Sequence, residues 1–501
     1  MTIAGREVDG KVRVAVRDPA DPAAVVGSAP DGTRADVEAA VAAAAGAFRE
    51  WRGIDLADRA GALAAAADRL ETTSEQRAQL LVREQGKVLA EARREVDVMT
   101  AKLRQMAAEG PALLEAQQWE AKRHRSQLLR QPRGPVAAVV PWNSPISLLA
   151  SKLAAALLSG NTVVAKVPSE CPLTALASVA AIADLFPSGA VNTVCGTVDE
   201  VGEPLVTHPE ITTVSFTGSV ASGRRIATVA APMLKRLILE LGGNDPAIIL
   251  DDVVLDAPTV RNLVWGFCMN AGQICMAIRR LYVQRDVVGA VVAAIRENLG
   301  GLTIGPGLDE GSDIGPLQNR AAWQRFRALL ERTEAAGAHI EEHGRLSPSA
   351  NPEGFFVRPT LVHNASEGSE IVDEEQFGPA VPILPFDQID EAVARANASS
   401  FGLSSSVWSG DDERAWQIAA RLETGLTFVN DHGLNGLDRR LPYGGMKASG
   451  LGREGGPLSC LEYVEYHGIT NAHLLAPPSV PSCGPSTTGA VAASRPAEKE
   501  E

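Results

Sequence analysis

TTVSFTGSVASG, residues 212–223, reads as an apolar strand that runs into Gly218 and on into a helix start, with Gly223 five positions later. Glycine lets the backbone approach a ligand, and free N–H groups at a helix N-terminus favour a phosphate. The spacing is not GxGxxG, so a plain strand-to-helix turn explains the stretch alone equally well. Repetition decides the matter. Short apolar runs recur as VAAVV (136–140), NTVVAKV (161–167), AVNTVC (190–195), TTVSF (212–216), LILELGG (237–243) and PAIIL (246–250), each followed by helix-like text. Continuous apolar strands separated by helices predict a parallel sheet covered on both faces. From about Asp245 the alternation restarts with RRLYVQ, a helix over 287–299, PTLVH, AVPILPF, SSSVWS and TGLTFVN, which predicts a second α/β unit.

Upstream, Thr33 is an N-cap candidate with an acid three residues on, and Val37, Val41, Ala44 and Phe48 share one helical face, so a long helix is expected there. Ala-rich helical text continues to about Met106. Residues 117–131 alternate polar and apolar side chains, as an exposed strand or hairpin does. From Ala476 the chain is rich in Pro, Ser, Gly and Ala and ends in charge, a composition expected to remain disordered.

The chain has 501 residues, enough for two or three domains, with 45% hydrophobic and 22% charged residues. Its formal charge of −14, from 47 basic against 61 acidic residues, argues against a nucleic-acid binder. The six cysteines have no CxxC pairing or matching His cluster, so neither a disulfide framework nor a metal site is signalled and a reducing cytoplasm is expected. The charged N-terminus lacks the apolar core of a secretory signal, and the longest uncharged run, Gly134–Ser151, is broken by three prolines. No membrane partner is expected.

Taken one at a time, the chemical candidates are weak. Cys275 in NAGQICMA (270–277) reads as core filling, since cysteine is among the most buried residues. Lys166 ends a strand, where open α/β sheets place ligands, but it is also an ordinary surface lysine. Glu240, after an apolar strand and before two glycines, is read as a half-buried carboxylate, a structural acid or a base with raised pKa. Asn143 in PWNSPI (141–146) suits a turn or an oxyanion donor.

Together and in order, PWN, the lysine after NTVVA, FTGS, ELGG, GQIC, EEQFGP and PYGGMKASGLGRE resemble the aldehyde dehydrogenase superfamily over about residues 10–470. The resemblance implies an α/β fold with a Rossmann-like cofactor domain (1–117 and 135–243), a catalytic α/β domain (244–446) and a small β oligomerisation extension (118–134 and 457–473), leaving 474–501 as a tail. It implies Cys275 as nucleophile, Glu240 as general base, Asn143 as oxyanion-hole side chain, and Lys152 and Glu454 as proton-relay groups. For the cofactor it implies the turn Gly218, Ser219 to Gly223 at the pyrophosphate, Lys166 and Glu375 at the riboses, Phe377 beside the nicotinamide, and Pro141, Trp142, Phe216 and Leu241 in the surrounding walls.

The chemistry asks for these types. A free thiol has a pKa of ~8.5 and its thiolate is highly nucleophilic. Its attack on an aldehyde creates an oxyanion, for which each donor is worth roughly 3 kcal/mol. Two departures stand out. Ser169 occupies the place where NAD-preferring members carry an acid, with Glu170 displaced by one position, so NAD or NADP is expected with NAD slightly favoured. Ser144 and Ser151 replace bulky tunnel aromatics while Tyr443 retains one, which predicts a wide or partly polar substrate tunnel. Arg279 and Arg280, which might suggest a carboxylate-bearing substrate, read as scaffold. The alternatives are a CoA-acylating semialdehyde dehydrogenase, a thiol esterase, and a non-catalytic binding relative. Family resemblance implies a homodimer or homotetramer, with residues 117–131 and LEYVEYHGI (461–469) at the subunit interface.

Overall fold

The computed structural model describes residues 1–10, 12–121, 124–433 and 436–471. The proposed tail, 474–501, lies outside the described residues. The chain divides into a large unit, Met1–Glu115 with Gln131–Glu465, and a small unit formed by Ala116–Arg130 and the chain from Tyr466.

Two sheets organise the large unit. The apolar runs at Val136–Val139, Val163–Lys166, Val191–Val194, Thr213–Thr217 and Arg236–Glu240 form parallel strands, and numbered in that sequence they lie side by side as 3-2-1-4-5. Gly450–Leu451 adds a short antiparallel edge to Arg236–Glu240. The order reverses between Val136–Val139 and Thr213–Thr217, the switch point at whose carboxyl end doubly wound sheets bind ligands. Register brings Val139, Lys166, Thr217 and Glu240 to that end. The second sheet has seven strands in the order His339–Glu342, Thr360–His363, Ala380–Phe386, Ile278–Gln284, Asp245–Ile249, Ser404–Trp408 and Leu426–Val429, all parallel except the first. Each sheet has its own buried apolar cluster.

The expected helix at Thr33 is Arg34–Gly53, closed by a capping box in which Asp36 reaches back to the Thr33 backbone. The Ala-rich text that follows is three helices, Leu56–Glu71, Ser74–Gln85 and Leu89–Leu114. The last runs eight residues beyond Met106 and through Pro111. Packing overrides propensity there: Gly110 is buried, and a Cβ on it would stand 2.3 Å from Leu158.

In the small unit, Gln117–Ala121 and His124–Pro132 pair antiparallel, and Val464–Asn471 completes a three-stranded sheet. Trp119, Tyr466 and Ile469 are exposed large apolar side chains on these strands.

Candidate active site

Cys275 is reached through an unusual backbone. Asn270 and Ala271 hold φ of 52° and 53°, and Gly272 follows at +72°. A side chain at Gly272 would stand 2.3 Å from the Gly378 backbone, so this position demands glycine. Such a loop persists only if its surroundings over-determine it. Glu91 accepts from the Asn270 backbone N–H (2.8 Å), and the Gln273 amide both donates to Asn270 O and accepts from Gln318 N. Arg279 is fully buried and donates to the carbonyls of Gly272, Ile274 and Gly378. Arg280 likewise spends its guanidinium on Asn244 O and Ala396 O. Both arginines are scaffold, in agreement with the sequence reading.

The loop delivers Cys275 to a cavity of about 80 Å³ whose walls include Asn143, Ser144, Ser151, Tyr443 and Glu454. Tyr443 Oη lies 3.7 Å from the sulfur. One N–H of the Asn143 amide donates to Gln273 O at 2.9 Å, which fixes its plane and leaves the second donor. Glu240 corrects its expected half-burial: it is 1% exposed, because the strand carrying it is covered on both faces. Neither of its oxygens has a hydrogen-bond partner. Burial pushes its pKa up to about 8. Burial, and then the charge of Glu240, likewise raise the Cys275 thiol well above its ordinary value.

Behind these groups, Lys152 and Glu454 form a buried ion pair. Lys152 also donates to Thr217 Oγ1 (2.9 Å) and Ser215 Oγ (3.2 Å), and Tyr463 Oη donates to Ser215, whose hydroxyl donates to Glu454 (2.7 Å). Ser215, Thr217 and Tyr463 were not singled out from the sequence; the only signal was polar residues alternating along an otherwise apolar strand.

At the switch point of the first sheet, a second cavity of about 570 Å³ is walled by Pro141, Trp142, Lys166, Phe216, Gly218 and Ser219, with Glu170 and Arg225 on its rim. The helix Val220–Ala230 starts here, and its cap Ser219 accepts from Ser222 N. Gly223 lies beneath: a Cβ there would stand 2.5 Å from Leu241, so its glycine seats the helix on the chain beyond Glu240. Lys166 is pulled below its ordinary pKa by burial, and the Glu170 charge opposes that shift. The Ser169 hydroxyl donates instead to Gly196 O, while Arg225 is held by both oxygens of Glu203. Phe377 packs edge-on to Trp142 with centroids 5.6 Å apart. Glu375 accepts from Gly243 N at 3.2 Å, and burial raises its pKa to about 7.

A doubly wound cleft with a capped helix N-terminus, near a half-buried thiol and an unpartnered carboxyl, is an arrangement suited to an oxidoreductase that forms a covalent adduct. The comparisons make this specific: the chain belongs to the aldehyde dehydrogenase family, whose profile matches residues 7–469. It is 35% identical over 460 residues to 2-aminomuconic semialdehyde dehydrogenase of Bos taurus, covering 89% of this chain and 92% of that protein. It is 34% identical to mitochondrial succinate-semialdehyde dehydrogenase of Mus musculus, covering 92% and 88%. Among solved structures, aldehyde dehydrogenase from Brucella melitensis biovar abortus 2308 superimposes with a TM-score of 0.88 at 32% identity, covering 94% of this chain and 96% of that one. Betaine aldehyde dehydrogenase from Staphylococcus aureus, in complex with NAD+, gives 0.89 at 29% identity and 94% of each chain. The reaction is therefore oxidation of an aldehyde to its carboxylic acid, and enzymes of this family use NAD(P). Among the described residues, no helix is long and apolar enough to cross a membrane.

Proposed function

We propose that Cys275 attacks the aldehyde carbon in the smaller cavity as a thiolate, its proton released to water, and that the second Asn143 N–H and the Cys275 backbone N–H stabilise the oxygen that becomes negative. The nicotinamide cofactor, when bound, supplies the acceptor for the aldehyde's hydride. The acyl group is then a thioester on Cys275. Glu240 removes a proton from the attacking water, and the sulfur departs as the acid forms. A buried carboxyl with both oxygens unpartnered, pKa about 8, beside the thiol is the observation that carries this reading. Lys152 and Glu454 serve as the relay that returns the proton of Glu240 to solvent.

The residues lining the larger cavity fit a dinucleotide, with Gly218 and Ser219 at the helix start for the pyrophosphate, Lys166 for a ribose and Trp142 toward the nicotinamide, while Phe377, packed on Trp142, and Glu375, held by Gly243 N, are assigned to the nicotinamide and its ribose. Glu170 lines this cavity and Ser169 does not, which favours NAD, since a carboxylate repels a 2′-phosphate. Semialdehydes, named in the relatives, are the supported substrate class. The exposed Trp119, Tyr466 and Ile469 support a homodimer or homotetramer through the small unit, and a cysteine pattern without CxxC spacing supports a reducing cytoplasm.

A panel of aliphatic, aromatic and acid-bearing aldehydes, each with NAD and with NADP, tests the reading through reduced cofactor at 340 nm. Acid formation without added CoA is expected; an absolute requirement for CoA establishes the acylating alternative instead. Light scattering tests assembly, with a monomer contradicting the oligomer.

A further inference from the structure

The cavity at Cys275 does not end there. Lys102, Ser144, Ser147, Ile274 and Arg439 line both it and a neighbouring cavity of about 410 Å³, so the two form one path from the sulfur outward. The helix Leu89–Leu114 supplies one wall, with Glu91, Glu95, Val98 and Lys102 at helical spacing on a single face.

Two lysines, Lys87 and Lys102, line this path and a third, Lys152, is buried outside its walls; two of the three have carboxylates of their own. Lys87 is paired with Glu95 and Lys152 with Glu454. Lys102 has none: among the described residues no carboxylate is within ion-pairing distance, and its Nζ donates to Ser147 O (2.9 Å) and Ser151 Oγ (2.7 Å). The nearby Glu95 and Glu454 stabilise its charge from a distance but are already engaged. An ammonium has three donors, so one remains. Burial draws the pKa down to about 8, the penalty for a cation without a counter-ion.

The outer walls extend the same charge. Arg94, Arg261 and Arg439 line the neighbouring 410 Å³ cavity; besides the paired Glu95, the acid lining it is Glu91, whose pKa burial raises to about 7 and whose Oε1 is taken by Asn270. A cleft with this excess of cations concentrates anions. The small side chain at Ser151 acquires a purpose as well: its hydroxyl holds Lys102, where a bulky aromatic would displace it.

We propose that Lys102 is a specificity-determining residue that receives the carboxylate of an ω-oxo acid whose aldehyde end meets Cys275. This rests on the assignment of Cys275 as nucleophile. The carboxylate supplies the counter-ion that the fold withholds from Lys102, and a neutral aldehyde leaves that ammonium without one.

The test compares aldehydes that differ only at the far end, 4-oxobutanoate against butanal and 6-oxohexanoate against hexanal, in the wild-type enzyme and in Lys102→Met and Lys102→Arg. In the wild type, at least one oxo acid is expected to exceed its neutral partner in kcat/KM by about tenfold or more. Lys102→Met lowers that ratio about tenfold, toward parity, mainly through KM for the oxo acid, and Lys102→Arg restores most of it. Should the methionine variant not fold, Lys102→Gln reads the same ratio. An unchanged ratio, or an equal loss for both partners, overturns the role of Lys102 while leaving oxidation by Cys275 intact. A wild type that oxidises none of the four overturns both.

Discussion

The dinucleotide cleft and the thiol chamber lie in one molecule but are built in different ways. The cleft is local: strand ends, the turn at Gly218 and Ser219 and the helix that follows supply its walls, within short stretches of chain and largely through backbone. The chamber is assembled from afar. Lys152 meets Glu454 across 302 residues, Asn143 meets Gln273 across 130, and the loop before Cys275 is held by Glu91, 179 residues upstream. A phosphate cradle needs geometry that a strand–turn–helix already provides. Covalent chemistry needs charges held where water does not screen them, and only tertiary packing supplies that.

The contrast can be broken by substitution, beginning where the effect is greatest. Cys275→Ser removes the proposed nucleophile and is expected to cost at least about 10⁴-fold in kcat while dinucleotide binding, followed by fluorescence titration, stays within a few-fold. Loss of cofactor binding as well would show that the two regions are not separable. Lys152→Met leaves Glu454 as a buried charge without its partner, which costs about 3–5 kcal/mol and lowers Tm by several degrees; replacing both residues by apolar ones recovers part of that. If the single variant melts with the wild type, the pair is not a structural element of the chamber. Asn143→Ala is expected to reduce kcat by about 10²–10³-fold with KM nearly constant, as the loss of one oxyanion donor does. At the cleft the effects are smaller. Glu170→Gln should shift the ratio of NAD to NADP use toward NADP by about tenfold, measured as kcat/KM for each cofactor. A ratio that does not move assigns the choice to other residues.

The same contrast explains what the sequence revealed. Apolar strand runs and the capping box at Thr33 are local signals, and the structure contains both. The strand ends at Lys166 and Glu240 were legible because a parallel sheet brings all its carboxyl ends to one side. The full burial of Glu240 was not legible, since it depends on elements packed from elsewhere. Lys102 was invisible for a related reason: on an Ala-rich helix it looks like a solvated lysine, and only folding shows that its neighbours Glu95 and Glu454 are engaged by other lysines. Ser151, read as spare volume, is in fact half of the support for that ammonium.

The most direct measurement is a rapid-mixing experiment on Glu240→Gln. This variant keeps the thiol but lacks the base that prepares water. The account predicts a burst of about one reduced cofactor per active site, slow turnover about 10²–10⁴ below wild type, and an acyl mass on the peptide containing Cys275. In the wild-type enzyme the step after the burst should quicken as pH rises through about 8, because the base acts once its carboxyl has lost its proton, and Glu240→Gln should lose that dependence. A variant with no burst, or with the acyl group on another residue, would contradict the assignment of Cys275 as carrier and Glu240 as the base that releases it.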